Sequence, residues 1–256
     1  MKKKLIILGC GSSIGSPRID GFWGKCKKSK KNVRTRCSAI IVKGDNNILI
    51  DTSPDIKEQL ITNKVKHISS VLFSHEHSDQ TNGLFELRPF YWRKKKKINI
   101  YGNKKTIKHL TKTYKYLFKT TDTYYPAIIK PNLVKESFSL GERNNKVNFQ
   151  TFSAKHGSTT SIVYVFEKTA YISDTNDLSI INAKKLRNLN YLILDSFRIE
   201  KHATHFNLDE AIFVHEILQP KKTILTNLHQ DLDYNFLLKK LPKNILPAYD
   251  GFSINL

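Results

Sequence analysis

The apolar residues of this chain fall into short blocks separated by Gly, Asn, Asp and Lys, and their spacing predicts strands alternating with helices. β-Branched and aliphatic runs bounded by turn residues read as strands at 4–9, 71–73, 98–101, 148–153, 161–167, 169–173, 191–195 and 222–226. Residues 38–43 and 47–51 read as a hairpin joined through Gly44-Asp45-Asn46, and 252–256 as a last strand after the Asp250-Gly251 turn. Helical spacing covers 55–63, 83–92, about 104–118, 179–187, 208–218 and 233–241. Pro54 suits a first helical position with Ser53 as its cap. The aromatic stretch 120–131, with Tyr124, Tyr125 and Pro126, reads as ordinary packing, with a pocket wall as the alternative. No fixed-period repeat and no linker interrupts the pattern, so residues 1–256 are expected to form one layered α/β domain.

The most informative polar stretch is Ser74-His75-Glu76-His77-Ser78-Asp79-Gln80, directly after Val71-Leu72-Phe73. In a loop that starts extended, His75 and His77 point the same way, because side chains alternate with a period of two. Two imidazoles at a strand end can share a divalent cation, and Asp79 at the next alternate position offers an oxygen. A bare His-x-His is more often a pair of exposed loop histidines; Asp79 tips the reading toward a metal site. The same arrangement, a strand running into a metal-capable side chain, recurs at Lys155-His156-Gly157, at Asp174 and at Asn227-Leu228-His229. Each alone is an ordinary loop polar group. Strand ends at one edge of a packed sheet converge, and together they argue for one site. His205 precedes Asn207-Leu208-Asp209-Glu210, a capping-box-like helix start, which could fix a histidine as an acid.

Composition changes this picture only in part. The formal net charge of +21 suits phosphate-bearing partners, nucleic acid among them. Yet 35 of the 43 basic residues are Lys, scattered with Asn and Ile, which resembles compositional drift as much as selection for phosphate contacts. Residues 18–37 read as a mobile, solvated basic loop, and Arg93-Lys94-Lys95-Lys96-Lys97 as a solvated face. Gly11-Ser12-Ser13-Ile14-Gly15-Ser16-Pro17 could present backbone N–H groups to a phosphate, but it lacks a P-loop ending and reads first as a turn. Cys10, Cys26 and Cys37 make no even disulfide framework, so a cytoplasmic protein is expected. The basic start before Leu5-Ile6-Ile7-Leu8 superficially resembles a lipoprotein leader, but that apolar core is shorter than the ~7–15 residues a leader needs.

The order Asp51, His75-x-His77-x-Asp79, His156-Gly157 and Asp174, followed by a late strand and loop, resembles the metallo-β-lactamase fold over nearly the whole chain. Gly9-Cys10-Gly11-Ser12-Ser13-x-Gly15-x-Pro17, Arg36-Cys37-Ser38, Gly83-Leu84 and Ala248-Tyr249-Asp250-Gly251 are similar to the branch that contains phosphoribosyl cyclic phosphate phosphodiesterase, a relative of tRNase Z. The resemblance implies an αββα four-layer sandwich and a metal-activated hydroxide attacking a phosphodiester. It implies that His75, His77 and His156 hold a first metal, that Asp174 bridges to a second bound also by Asp79, and that Asp51 steadies the site. His205 matches the histidine thought to protonate the leaving oxygen. Two departures fall on the second metal: Gln80 and Asn227 stand where the family has histidine. His229 is a replacement ligand, a structural ligand or a packing residue. The branch's structural-zinc cysteines are also incomplete, with Cys26 alone in that loop.

The expected function is a metal-dependent hydrolase of a small cyclic or nucleotide-like phosphodiester, with Asp79 and His205 as catalytic residues and Arg88 and Arg198 as phosphate-binding cations. One Zn²⁺ or Mn²⁺ is expected to bind tightly and a second weakly or not at all. The alternatives are an RNA-processing nuclease of the tRNase Z type, which the charge favours but the lack of a long inserted arm does not, and a degenerate non-catalytic relative. No membrane partner is expected, and the reading is compatible with a homodimer.

Overall fold

The computed structural model describes residues 3–120 and 124–256; residues 121–123 of the aromatic 120–131 stretch, and the first two residues of the basic start, lie outside the described residues. The first half forms β1 (Lys3–Gly9), β2 (Ser38–Lys43), β3 (Asn46–Ile50), β4 (Ser70–Leu72), β5 (Ile98–Gly102) and β6 (Ile129–Leu133). The second half forms β7 (Ser137–Leu140), β8 (Val147–His156), β9 (Thr159–Phe166), β10 (Thr169–Ile172), β11 (Tyr191–Asp195), β12 (Lys222–Thr226), β13 (Ile245–Pro247) and β14 (Phe252–Asn255). Between them lie α1 (Ile56–Thr62), α2 (Ser78–Thr81), α3 (Arg88–Lys94), α4 (Lys104–Thr113), α5 (Lys115–Phe118), α6 (Leu208–Leu218) and α7 (Tyr234–Lys240).

The strands form two seven-stranded sheets, ordered β14-β1-β2-β3-β4-β5-β6 and β13-β12-β11-β10-β9-β8-β7. Strand periodicity explains how they stack. Leu5, Ile7, Ile48, Ile50 and Leu72 face Phe149, Tyr164, Tyr171 and Ile193 across the space between the sheets. The alternate residues Ile6, Leu8, Leu49 and Val71 pack outward with Ile56, Leu110 and Leu117 of the first helical layer. On the far side, Val163, Ile172 and Leu192 pack with Leu208, Val214 and Leu237. The result is the four-layer αββα sandwich expected from the sequence. No helix among the described residues is long and apolar enough to cross a membrane.

Several local expectations are corrected. The helix after Asp51 starts at Ile56, not Pro54, with Asp55 as its cap residue. The Ser53 hydroxyl donates to Gln59 Oε1 at 3.0 Å and accepts the Asp55 N–H at 3.2 Å, just ahead of the helix. The 104–118 helix breaks at Tyr114, whose φ of −112° and ψ of 41° are not helical. Residues 179–187 form two 3₁₀ turns, Leu178–Asn182 and Lys184–Leu186, rather than an α-helix. Strands β6, β7 and β13 were not visible as apolar runs: β6 carries Pro131 at a sheet edge, where a missing N–H is tolerated.

The basic 18–37 loop is exposed along its lysines but is not solvated throughout. Arg34 within it is 1% exposed. Its guanidinium donates to the Leu232 carbonyl at 2.6 Å, the Asn32 Oδ1 at 3.0 Å and the His229 carbonyl at 3.2 Å, tying the loop to the segment after β12. Arg34→Met keeps most of the volume but removes all three bonds, the short one to the buried Leu232 carbonyl among them. It is expected to cost about 3 kcal/mol, read as a lower urea midpoint at unchanged m-value; an unchanged midpoint would show that the bonds are not what holds the loop.

Candidate metal centre

β1, β3, β4 and β5 point their carboxyl ends to one edge of the first sheet, and β10, β11 and β12 do the same in the second. The loops leaving these ends meet. Asp51, with φ of 60°, turns the chain directly after β3, and its Oδ1 accepts the Ser74 N–H at 2.8 Å. That bond fixes where the histidine loop leaves the sheet. Burial pushes the Asp51 carboxyl up to about 8.

The loop carries His75 inward and His77 to the rim, with ring centres 4.5 Å apart. His156, at the end of β8, completes a triangle at 4.9 Å and 5.0 Å. His75, His77 and His156 each offer one nitrogen within 4.8 Å of the others. His156 Nε2 lies 3.3 Å from His77 Nδ1. A tetrahedral zinc with Zn–N near 2.05 Å separates its ligand nitrogens by about 3.3 Å, so the spacing fits. Asp174 adds a carboxylate oxygen 3.7 Å from His75 Nε2 and 3.8 Å from His156 Nε2. The other ring nitrogens are tied back: His75 Nδ1 to the Ser74 hydroxyl at 3.0 Å, His156 Nδ1 to the Thr204 carbonyl at 2.8 Å. Such outer contacts fix which nitrogen faces a metal.

The electrostatics point the same way. Burial, reinforced by the neighbouring imidazoles, holds His75 well below its usual pKa and brings His156 to about 4. Both are neutral near pH 7, as ligation requires. His75 Nε2 is buried with no hydrogen-bond partner. Burial pushes Asp174 well above the usual carboxylate range. An orphaned imidazole nitrogen beside a desolvated carboxylate is costly unless a cation joins them.

Next to this triangle stands a second arrangement. His205 Nδ1 meets Asp195 Oδ2 at 2.8 Å. Burial works against a charged His205, but the Asp195 carboxylate outweighs it and lifts His205 to about 9. The pair therefore keeps a proton on the imidazole at neutral pH. His156, Asp174 and His205 also lie within 4.8 Å of one another through single atoms. Asn227 sits beneath them, 1% exposed, its amide donating to Asp195 Oδ1 at 3.1 Å and lying 3.4 Å from Asp174 Oδ1. Asp195 was not singled out from the sequence. Its signal is a carboxylate closing the apolar run Tyr191-Leu192-Ile193-Leu194 on a strand buried from both sides.

The remaining candidates lie further out. Asp79, on α2, is in neither of the two metal-capable groups and accepts from Gln80 Nε2 at 3.1 Å. His229 pairs with Asp231 at 3.0 Å, and its ring lies against one side of Phe197, which stacks on His205. Arg198 donates to the Lys201 carbonyl at 2.8 Å, within its own loop. Arg88 lies over the Trp92 ring, 6.0 Å from its centre. A cation that was not anticipated does reach the site: Lys105 Nζ lies 2.7 Å from Glu76 Oε1 and 2.9 Å from Thr159 Oγ1, between the two histidine loops.

Three comparisons place this geometry among known proteins. The model of the beta-lactamase superfamily domain matches residues 46–227. A crystal structure described as a new diphosphatase from the PhnP family superposes with a TM-score of 0.89 at 28% identity, covering 100% of this chain and 98% of that one. Human tRNase Z, short form, superposes with a TM-score of 0.70 at 16% identity, covering 98% of each chain, and shares the fold. An octanoyltransferase of Porphyromonas gingivalis is 25% identical over 252 residues, 97% of this chain but 50% of that protein, so the chain spans half the length of this relative.

Proposed function

We propose that this chain, which belongs to the beta-lactamase superfamily, is a metal-dependent hydrolase that cleaves a small phosphodiester. The observation that carries the reading is the meeting of three imidazoles, two of them held neutral by burial, and a buried carboxylate with an aspartate-held, protonated histidine. His75, His77, His156 and Asp174 would hold a divalent cation, Zn²⁺ or Mn²⁺. Such a cation supplies Lewis acidity: it lowers the pKa of water toward ~7 and draws charge from the phosphoryl oxygens.

The chain's own residues do the rest. Asp195 holds Nδ1 of His205, which leaves Nε2 as the atom that can deliver a proton. Water, giving up a proton to solvent, adds to phosphorus; the bond to the leaving oxygen breaks, and His205 gives that oxygen its proton. Lys105 puts a positive charge at the rim, where an incoming phosphate would meet it. Asp51 and Tyr164, whose hydroxyl donates to the Phe73 carbonyl at 2.7 Å, fix the backbone on which His75 rides.

Support for phosphoryl chemistry comes from the diphosphatase neighbour, which matches end to end. The octanoyltransferase name belongs to a protein twice as long. Thiol-dependent acyl transfer also finds little footing: Cys10, Cys26 and Cys37 are all buried, and burial pushes each thiol up. The test is turnover of bis(p-nitrophenyl) phosphate. Activity is expected to vanish on chelation and to return with Mn²⁺ or Zn²⁺. Absence of turnover with any divalent metal would mark the chain as a binding protein that keeps the fold without the chemistry.

A further inference from the structure

The inner faces of the two sheets are mostly apolar, and several polar positions gather at one corner. On β3, Ile48 and Ile50 face inward, and by the same period so does Asn46; on β4, Leu72 and so Ser70; on β5, Tyr101 and so Asn99. The register places Ser70 beside both Ile48 and Asn99. These polar positions sit at the strand starts, whereas Asp51 and His75 follow the strand ends. Five residues of extended chain, about 17 Å, separate Ser70 from His75.

There the sheets part around a cavity of about 850 Å³, walled by Asn46, Ser70, Asn99, Tyr101 and Ser139. Ser70 is 4% exposed, and its hydroxyl has no hydrogen-bond partner. The carbonyl oxygen of the Asn145 side chain, which also lines the cavity, is likewise buried and unpaired. A buried hydroxyl costs free energy unless something answers it, and valine or leucine would have continued the inner face without that cost. Ligand pockets of this size are usually lined with apolar groups. Amides and hydroxyls in their place select a ligand that is itself rich in hydroxyls.

The rim adds charge. Lys94, Lys96 and Arg143 border the cavity, against Asp45 and Glu142. Asp45 is already engaged by the Asn145 amide. The balance favours an anion, and it gives part of the 93–97 basic run, read from the sequence as a solvated face, a surface to serve.

We propose that this corner is a second binding site, separate from the histidine cluster, that takes a small phosphorylated, hydroxyl-rich molecule, with Ser70 meeting a hydroxyl and Lys94, Lys96 and Arg143 facing the phosphate. The test uses the full chain, isotopically labelled, with chelator present so that the histidine cluster holds no metal. Ribose 5-phosphate is titrated while backbone amide shifts are followed, with ribose and inorganic phosphate as separate arms. Saturable shifts are expected at Ser70, Asn99 and Gly141, with ribose 5-phosphate binding more tightly than either part. Ser70→Val and, separately, the surface double substitution Lys94→Gln/Lys96→Gln are each expected to weaken binding about tenfold or more. Both are expected to leave bis(p-nitrophenyl) phosphate turnover with added metal unchanged. The lysine variant keeps the test decisive if Ser70→Val does not fold. Shifts confined to the histidine loops, no saturable shifts at all, or equal affinity in the lysine variant would overturn the proposal.

Discussion

His205→Ala is expected to slow phosphodiester hydrolysis by about 10²–10⁴-fold, the usual worth of a positioned general acid, while leaving the bound metal per chain unchanged. The expectation follows from how His205 is held. Its Nδ1 is committed to the buried Asp195, which keeps the ring protonated and in one orientation. It is also stacked on Phe197, with ring centres 4.9 Å apart. A ring so fixed loses no entropy when the leaving oxygen arrives. The loss should depend on the leaving group: large for an alkoxide, which must take a proton, and small for p-nitrophenolate, which can depart without one. Asp195→Asn should show a weaker version of the same pattern, because it removes the charge that holds the proton but not the imidazole. The rival role is explicit in the geometry, since His205 shares a 4.8 Å cluster with His156 and Asp174. If His205→Ala emptied the site of metal, or slowed all leaving groups equally, His205 would be a ligand and the acid would have to be sought elsewhere.

What could be read in the sequence and what could not divides along physical lines. Buried strands show as apolar or β-branched cores, so β11 and β12 coincide with the spans their patterns predict, as does α6 with its Asn207–Glu210 capping box. His75 and His77 were legible because a period of two puts them on one side, and His156 and Asp174 because each closes a strand. Of the edge strands, β14 was legible but β6, β7 and β13 were not. In β6, with Ile129 buried and most of the rest exposed, hydrogen bonding to one neighbour makes the strand and burial does not. Cations were the least legible feature. In a chain with 35 lysines, nothing local distinguishes Lys105 at the site rim from any other. The same holds for Arg34, which looks like one more charge in a basic loop and is a buried tie. Arg88 and Arg198 were chosen for charge alone. Their guanidinium groups lie over Trp92 and Phe197, rings only four and one positions away in the chain.

The largest change in metal content is expected from the two positions where imidazole is missing. Gln80 is fully buried; its Nε2 donates to Asp79 and its Oε1 has no partner. Asn227 donates toward Asp174 and Asp195, so an amide N–H occupies the side of Asp174 away from the three histidines. An amide N–H repels a cation, and amide and carboxylate oxygens suit Mn²⁺ or Mg²⁺ better than Zn²⁺. The unmodified protein, loaded with Zn²⁺ and passed through a desalting column, should therefore retain about one ion per chain. His75→Ala should retain essentially none and lose activity to background, because it removes the one fully buried imidazole of the triangle. Gln80→His combined with Asn227→His should raise retention toward two. The second substitution is tolerable where it stands: Asn227 has a φ of 61°, a region in which histidine is among the less strained residues. His229 does not fill the gap in its present pose, since it pairs with Asp231 and packs on Phe197. Inductively coupled plasma mass spectrometry of the three proteins decides the matter. Two zinc ions held tightly by the unmodified chain would show that Asn227 and Gln80 turn their oxygens to a second metal, and the single-ion reading would fall.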